Sequence, residues 1–259
     1  MQKPADSSLI NSHSDVLWAD WPAAANIHAL TTTRAGGLSQ EPYAQLNLAD
    51  HVGDALPLVE KNRQILAESL SIDQPLWLKQ VHGVAVVDAA TASHHAEADA
   101  VYTDKPATVC AVLTADCLPL LFCNRQASVV AAAHAGWRGL ADGVIEATVT
   151  SMQQKPEDIM VWLGPAIGPS CFEVGSDVYH AFVSQDQQAA RAFKQTDGEH
   201  FLADIYQLAR IRLQRLGINQ VYGGGLCTYS DEERFYSFRK NKITGRMASM
   251  IWISADQDQ

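Results

Sequence analysis

Short apolar runs recur along the chain and are rich in β-branched residues: ATVCAVLT (107–114), ASVVAAAH (127–134), DIMVWLG (158–164), GINQVY (217–222) and ASMIWIS (248–254). Their length and composition predict buried strands. Between them the apolar positions change to helical spacing. Over 204–216, Asp204 stands where a helix is capped, and Ile205, Leu208, Ala209, Leu213 and Leu216 form one stripe before Gly217. A second helix is predicted after GWRG, with Leu140, Val144, Ala147 and Met152 on one side. A third spans 55–70, with Val59, Leu66 and Leu70 on its inner face. Positions 62 and 63 belong to that face by spacing, yet they are Asn62 and Arg63. Such polar residues mark an internally satisfied contact, the edge of a site, or an arginine snorkelling at the stripe margin. Strands and helices intermixed in this way predict a layered α/β or α+β domain, whose strand order the sequence does not reveal.

At 259 residues the chain suits one large domain, 1–259, with about the first 15 residues and the polar tail SADQDQ free to fray. Hydrophobic residues at 47% and charged residues at 19% predict a packed core and exclude general disorder. A formal charge of −10 argues against a nucleic-acid partner while leaving room for a local basic pocket. The longest apolar stretches, around LPLLFC and VVAAA, are too short to cross a bilayer, and no apolar segment follows the N-terminal Lys. A cytoplasmic protein with no membrane partner is expected. Five cysteines, with no CxxC pair, give no disulfide framework. Cys110 and Cys123 read as buried apolar side chains, and His94-His95 as an exposed loop.

Three segments join reactive side chains to turns. In LKQVHG (78–83), Gln80 and His82 alternate at an expected strand end, so both can face one cleft. In LTADCLPLLF (113–122) the strand stops at Asp116-Cys117, and Pro119 is expected to prevent a regular central strand. In AAAHAGWRGL (131–140) a strand ends at His134 before a glycine-spaced turn and a helix. His82, Cys117 and His134 together offer two imidazoles and one thiolate, the ligand set of a catalytic zinc with an open fourth position. Their separations of 35 and 17 residues match no compact metal motif. The GWRG turn places backbone N–H groups and Arg138 where an anion such as phosphate could sit; alternatively its glycines only permit the turn while Trp137 packs. GGGLCT (223–228) lacks the ending of a phosphate-binding loop and reads as a strand and turn.

The chain resembles the YfiH family, also described as multicopper polyphenol oxidase (laccase) or purine nucleoside phosphorylase-like. The resemblance covers nearly everything after about residue 30, through TTTRAGGLSQEPYAQLNLADHVGD, EKNR, LKQVHG, ADAVYT, TADCLPLLF, AAAHAGWRGL, GPAIGPSCFEVG and CTYSDEERFYSFRKNKITGRMASMIWI. It implies a layered α/β/β/α sandwich like that of cysteine hydrolases, and a zinc held by His82, Cys117 and His134. It also implies phosphorolysis of adenosine, inosine, guanosine and methylthioadenosine, and deamination of adenosine. A bacterial relative is linked to peptidoglycan editing, removing a misplaced serine from a muramyl precursor. Asn47, Arg63, Gln80 and Arg138 carry over by motif position as binding residues. A true multicopper oxidase needs many imidazoles, mostly in His-x-His pairs; nine His with no such pair do not supply them, although one copper could occupy the same trio.

The expected chemistry is metal-assisted attack of phosphate or water on a purine nucleoside. Arg138, Arg63 or Arg239 is expected to hold phosphate, and Trp137 or Phe238 to stack on the base. Asp116 is expected either to shuttle a proton or to orient a ligating histidine. The rival is a metal-free cysteine hydrolase, with Cys117 as nucleophile and His134 or His82 as base. A non-catalytic partner-binding protein is the third class. Oligomeric state is not readable from the sequence.

Overall fold

The apolar runs close into two stacked sheets, each sandwiched between the other sheet and helices. The computed structural model describes residues 15–255, so the fraying expected at the termini falls largely outside the described residues. Strands in chain order are β1 (Val16–Trp18), β2 (Ile27–Thr32), β3 (Val86–Asp88), β4 (Ala100–Thr103), β5 (Cys110–Thr114), β6 (Leu118–Asn124), β7 (Val130–Ala135), β8 (Ile159–Leu163), β9 (Glu173–Gly175), β10 (Phe193–Gln195), β11 (His200–Ala203), β12 (Gln220–Gly223) and β13 (Met247–Ile253). Helices are α1 (Leu56–Leu70), α2 (Trp137–Asp142), α3 (Val144–Met152), α4 (Ser176–Val183) and α5 (Ile205–Arg215). One sheet runs β1-β2-β13-β5, the other β12-β8-β6-β7-β4-β3, and β10-β11-β9 form a small third sheet.

Period-two alternation builds the layers. In β6, Leu118, Leu120 and Phe122 face the helical side, where they meet Leu140 of α2, Ile145 of α3 and Leu208 of α5. The intervening Leu121 and Cys123 face Val112 of β5 and Ile251 of β13, in the seam between the sheets. On β13, Ala248, Met250 and Trp252 turn the other way and pack with Ile65 and Leu66 of α1. The order is therefore α1, four-stranded sheet, six-stranded sheet, then α2–α5. This is the expected α/β/β/α sandwich, and it explains why the strands read as continuous apolar runs rather than half-polar ones.

Three local expectations change. Pro119 lies inside β6, a central strand; it is tolerated because it occupies the second position, where pairing with β8 has not begun, and its carbonyl accepts from Gly164 N at 3.0 Å. The helix expected after GWRG breaks into α2 and α3 at Gly143, whose φ of 105° ends one helix and opens the next. Residues 80–83 form a bend rather than a strand, joined to β4 through side-chain contacts instead of a ladder. Asp204 caps α5 as expected, its Oδ1 accepting from Gln207 N at 2.9 Å.

The polar break in α1 is internal. Asn62 is fully buried; its Oδ1 accepts from Leu38 N, and its Nδ2 donates to Ser39 Oγ, Gln45 O and Asn47 O. One side chain thereby pins the two ends of the 38–47 loop together and satisfies the Leu38 N–H and the Asn47 carbonyl. Arg63 donates from Nε to Leu48 O, lies 3.3 Å from Asp50, and stacks over Trp77. It holds the loop edge.

Candidate metal centre

Cys117 sits just before β6, His134 near the end of β7, and His82 on the 80–83 bend. Their ligand atoms all lie within 4.8 Å of one another, and Cys117 Sγ is 3.8 Å from His82 Nε2. Among the described residues no other group of three such side chains meets that geometry. Two imidazoles and a sulfur on one concave surface fit zinc with a fourth position open.

The local backbone explains how these residues converge. His82 has φ 61° and Asp116 φ 88°, left-handed conformations that side-chain-bearing residues rarely take. Such strain persists only where neighbours impose it. For His82 the neighbour is Asp99, a fully buried carboxylate just before β4. Its oxygens accept from the N–H groups of Val81 (3.2 Å), His82 (2.9 Å) and Gly83 (2.7 Å), and Oδ1 also lies 2.8 Å from His134 Nδ1. Asp99 thus shapes the bend carrying one ligand and orients the ring of another, leaving His134 Nε2 for metal. Burial pushes the Asp99 carboxyl up, but His134 and these N–H groups outweigh it and hold it below the usual range.

Gly136 and Gly139 of the GWRG turn serve the same packing. A Cβ on Gly136 would come within 2.6 Å of the His82 ring and 3.2 Å of Cys117 Sγ; one on Gly139 would strike Gly83 O at 2.7 Å. Burial raises the Cys117 thiol, yet the charge and hydrogen bonding of His134 and then His82 prevail, bringing it down to about 6. Burial depresses His134, but the Cys117 thiolate and Asp99 lift it to about 9. Cys110 and Cys123 are buried as expected, and burial alone pushes Cys123 up to about 12.

Two cavities flank Cys117. One, of about 290 Å³, is walled by Trp137, Arg138, Ile167, Phe172, Phe238, Arg239 and Lys242. The other, of about 300 Å³, is lined by His51, Gln80, Thr114, His134, Phe238 and Arg246. His82, Ala115, Cys117 and Phe238 belong to both, so the trio lies at their junction. A larger open depression of about 700 Å³ beside His28 and Trp252 shares no residue with the trio. Four cations around Cys117 make the local basic pocket that a net charge of −10 left room for.

The candidates separate by what already holds them. Trp137, Arg138 and Phe238 face the first cavity, with Arg138 stacked 4.3 Å from the Trp137 ring centroid. Gln80 faces the second, but its amide is spent on Leu113, accepting from N at 2.7 Å and donating to O at 2.8 Å. Arg239 donates from Nη1 to Glu173 O. Asn47 and Arg63 line neither cavity; Asn47 is fully buried and organises Ala49, Asp54 and Arg246 N. Asp116 accepts from Thr228 Oγ1 (2.7 Å) and Arg239 N (2.6 Å), so its carboxylate ties together the loops that form the aromatic wall. The histidine-orienting role considered for Asp116 is filled by Asp99. Sequence reasoning passed over Asp99, Thr114, Lys242 and Arg246; the acid in ADAVYT, opening an apolar strand, was the available signal for the first.

A layered α+β domain with a two-histidine, one-cysteine centre at the junction of two cavities is the class of protein that fold and site define. Within that class, residues 28–254 match the family of multi-copper polyphenol oxidoreductase laccases, and the chain belongs to that family, which includes the YfiH proteins. It is 50% identical over 242 residues to the purine nucleoside phosphorylase YfiH of Shigella flexneri, covering 93% of this chain and 99% of the relative. A purine nucleoside phosphorylase of Pseudomonas aeruginosa is 52% identical over 238 residues, covering 92% and 98%. A crystal structure of a Neisseria meningitidis protein superposes with TM-score 0.91 at 48% identity, covering 93% of this chain and all of that one. No helix among the described residues is long and apolar enough to cross a membrane.

Proposed function

We propose that this protein is a zinc-dependent purine nucleoside phosphorylase acting on adenosine, inosine, guanosine and methylthioadenosine, and that it also deaminates adenosine. The observation that carries this reading is the His82–Cys117–His134 trio at the junction of an aromatic and a cationic cavity. The names of relatives about 50% identical over nearly their full length support the purine nucleoside phosphorylase part of this reading.

Bound zinc supplies a Lewis acid that stabilises developing negative charge. The chain does the rest. Trp137 and Phe238 offer faces on which a purine stacks, and the apolar Ile167 and Phe172 exclude water from the same wall. Arg138, stacked over Trp137 on the same wall, is placed to meet the polar edge of the base. In phosphorolysis a phosphate oxygen bonds to the anomeric carbon as the bond to the purine nitrogen breaks. The leaving electron pair goes to the purine, and the proton of hydrogen phosphate ends on it. In deamination, water adds at the purine C6, ammonia departs, and inosine results.

A second reading rests on the lowered Cys117 thiol beside two imidazoles, the arrangement of a cysteine hydrolase acting on an amide such as a muramyl-serine bond. Chromatography of adenosine plus phosphate over zinc-loaded protein and Cys117→Ala separates these readings. Phosphate-dependent adenine release lost in the variant sustains the phosphorylase; inosine alone reduces the activity to deamination. Neither product, with muramyl-serine cleavage by metal-free protein, establishes the hydrolase instead.

A further inference from the structure

We infer that the cavity between Thr114 and Arg246 is the phosphate seat, so that phosphate and purine approach the trio from opposite sides. This rests on the phosphorolysis reading above and deepens it.

Thr114, 1% exposed at the end of β5, lines this cavity, and its buried Oγ1 has no hydrogen-bond partner. An unsatisfied buried hydroxyl is rare in a native fold and points to a missing ligand. Arg246, half-buried on the same wall, donates from Nη1 to Thr244 O (2.8 Å) and Gly245 O (3.0 Å) and lies 5.6 Å from the Phe238 ring. None of the described carboxylates pairs with it, whereas Arg63, Arg212, Arg215 and Arg234 each have one. A half-buried guanidinium that no carboxylate pairs can take an anionic ligand.

Nothing else in the wall competes. Gln80 is held in place by two hydrogen bonds with Leu113, and no Asp or Glu lines the cavity. The groups with hydrogen-bonding capacity to spare, the Thr114 hydroxyl and part of the Arg246 guanidinium fork, belong to residues that line a space of about 300 Å³ next to Cys117. A tetrahedral oxyanion rich in acceptors fits that set. The other arginines lie elsewhere: Arg63 is bound to Leu48 O and Asp50 and lines neither cavity, and Arg138 and Arg239 line the aromatic one.

The test uses zinc-loaded wild type, Thr114→Val, Arg246→Met and Arg246→Lys, matched for zinc content. Steady-state phosphorolysis is expected to show KM for inorganic phosphate rising about tenfold or more in Arg246→Met, with partial rescue in Arg246→Lys and little change in KM for adenosine. Thr114→Val removes a hydroxyl that nothing in the fold uses. It is expected to raise KM for phosphate while leaving Tm unchanged or higher, an outcome that a merely structural hydroxyl would reverse. An unchanged KM for phosphate in both variants, or a rise confined to KM for adenosine, overturns the assignment. Calorimetric titration with inorganic phosphate reads the seat without turnover. If wild type binds phosphate, Arg246→Met does not, and no base is released, the phosphorylase reading fails and the anion seat stands. If wild type shows no phosphate binding, the seat is refuted.

Discussion

Asp99 holds more of the centre together than any other side chain outside the trio, because one carboxylate fixes both the bend of His82 and the ring of His134. Asp99→Asn keeps the size but removes the charge that selects the Nδ1–H tautomer. Zinc affinity, read by competition with a chelating dye, is expected to fall about 10- to 100-fold; undiminished affinity would show that packing alone sets the ring. A second prediction concerns the metal-free protein. Burial raises Cys117, but its imidazole neighbours bring it down to about 6 from an ordinary thiol value of 9.0. Because the depressed group is charged above its own pKa, thiolate absorbance at 240 nm is expected to grow as pH rises through about 6 and to be missing in Cys117→Ala. A midpoint near the ordinary value would contradict the electrostatic account. At this scale the ligands themselves were legible, since His and Cys beside turn residues stand out in apolar surroundings. Asp99 was not, because its work is done through backbone N–H groups 16 to 18 residues away, and no local pattern reports such a contact.

The elements owe their positions to polar residues as much as to apolar stripes. Asn62 in α1 replaces an apolar stripe position with four hydrogen bonds to a loop that itself carries Asn47. Asn62→Ala leaves the Leu38 N–H and the Asn47 carbonyl without the side chain that pairs them, while Gln45 O keeps Ser39 N, and denaturant unfolding is expected to show a loss of about 2–4 kcal/mol, unsatisfied groups at roughly 1–3 kcal/mol each with partial relaxation. A loss under about 0.5 kcal/mol would mean that water replaces the side chain. The sequence marked Asn62 as anomalous without revealing which role applied, because the partners lie 15 to 24 residues upstream. Helix α5 was legible to within a residue of each end, its Asp204 cap included. The helix after GWRG was read as unbroken because Leu140, Val144 and Met152 keep helical spacing across Gly143; only the backbone torsion shows the break. Pro119 misled in the opposite direction, since its tolerance depends on where a neighbouring strand begins.

Over the whole molecule, two stacked sheets bring the ends of three separate segments to one point. Sheet order is what places Cys117 and His134 side by side: β6 and β7 pair antiparallel, with Leu118 opposite Ala135 and Pro119 opposite His134. That pairing is non-local, so a single sequence displays the strands and conceals their neighbours, although the family resemblance anticipated the layers. The same architecture sets an aromatic cavity on one flank of the trio and a donor-lined cavity on the other, and it concentrates cations there in an otherwise acidic chain. The central claim is that this junction performs metal-assisted phosphorolysis of purine nucleosides. The most direct measurement is release of free adenine from adenosine by zinc-loaded protein, with and without inorganic phosphate, alongside Cys117→Ala. The account predicts adenine that appears only with phosphate and is lost in the variant; adenine formed equally without phosphate, or persisting after Cys117 is removed, would contradict it.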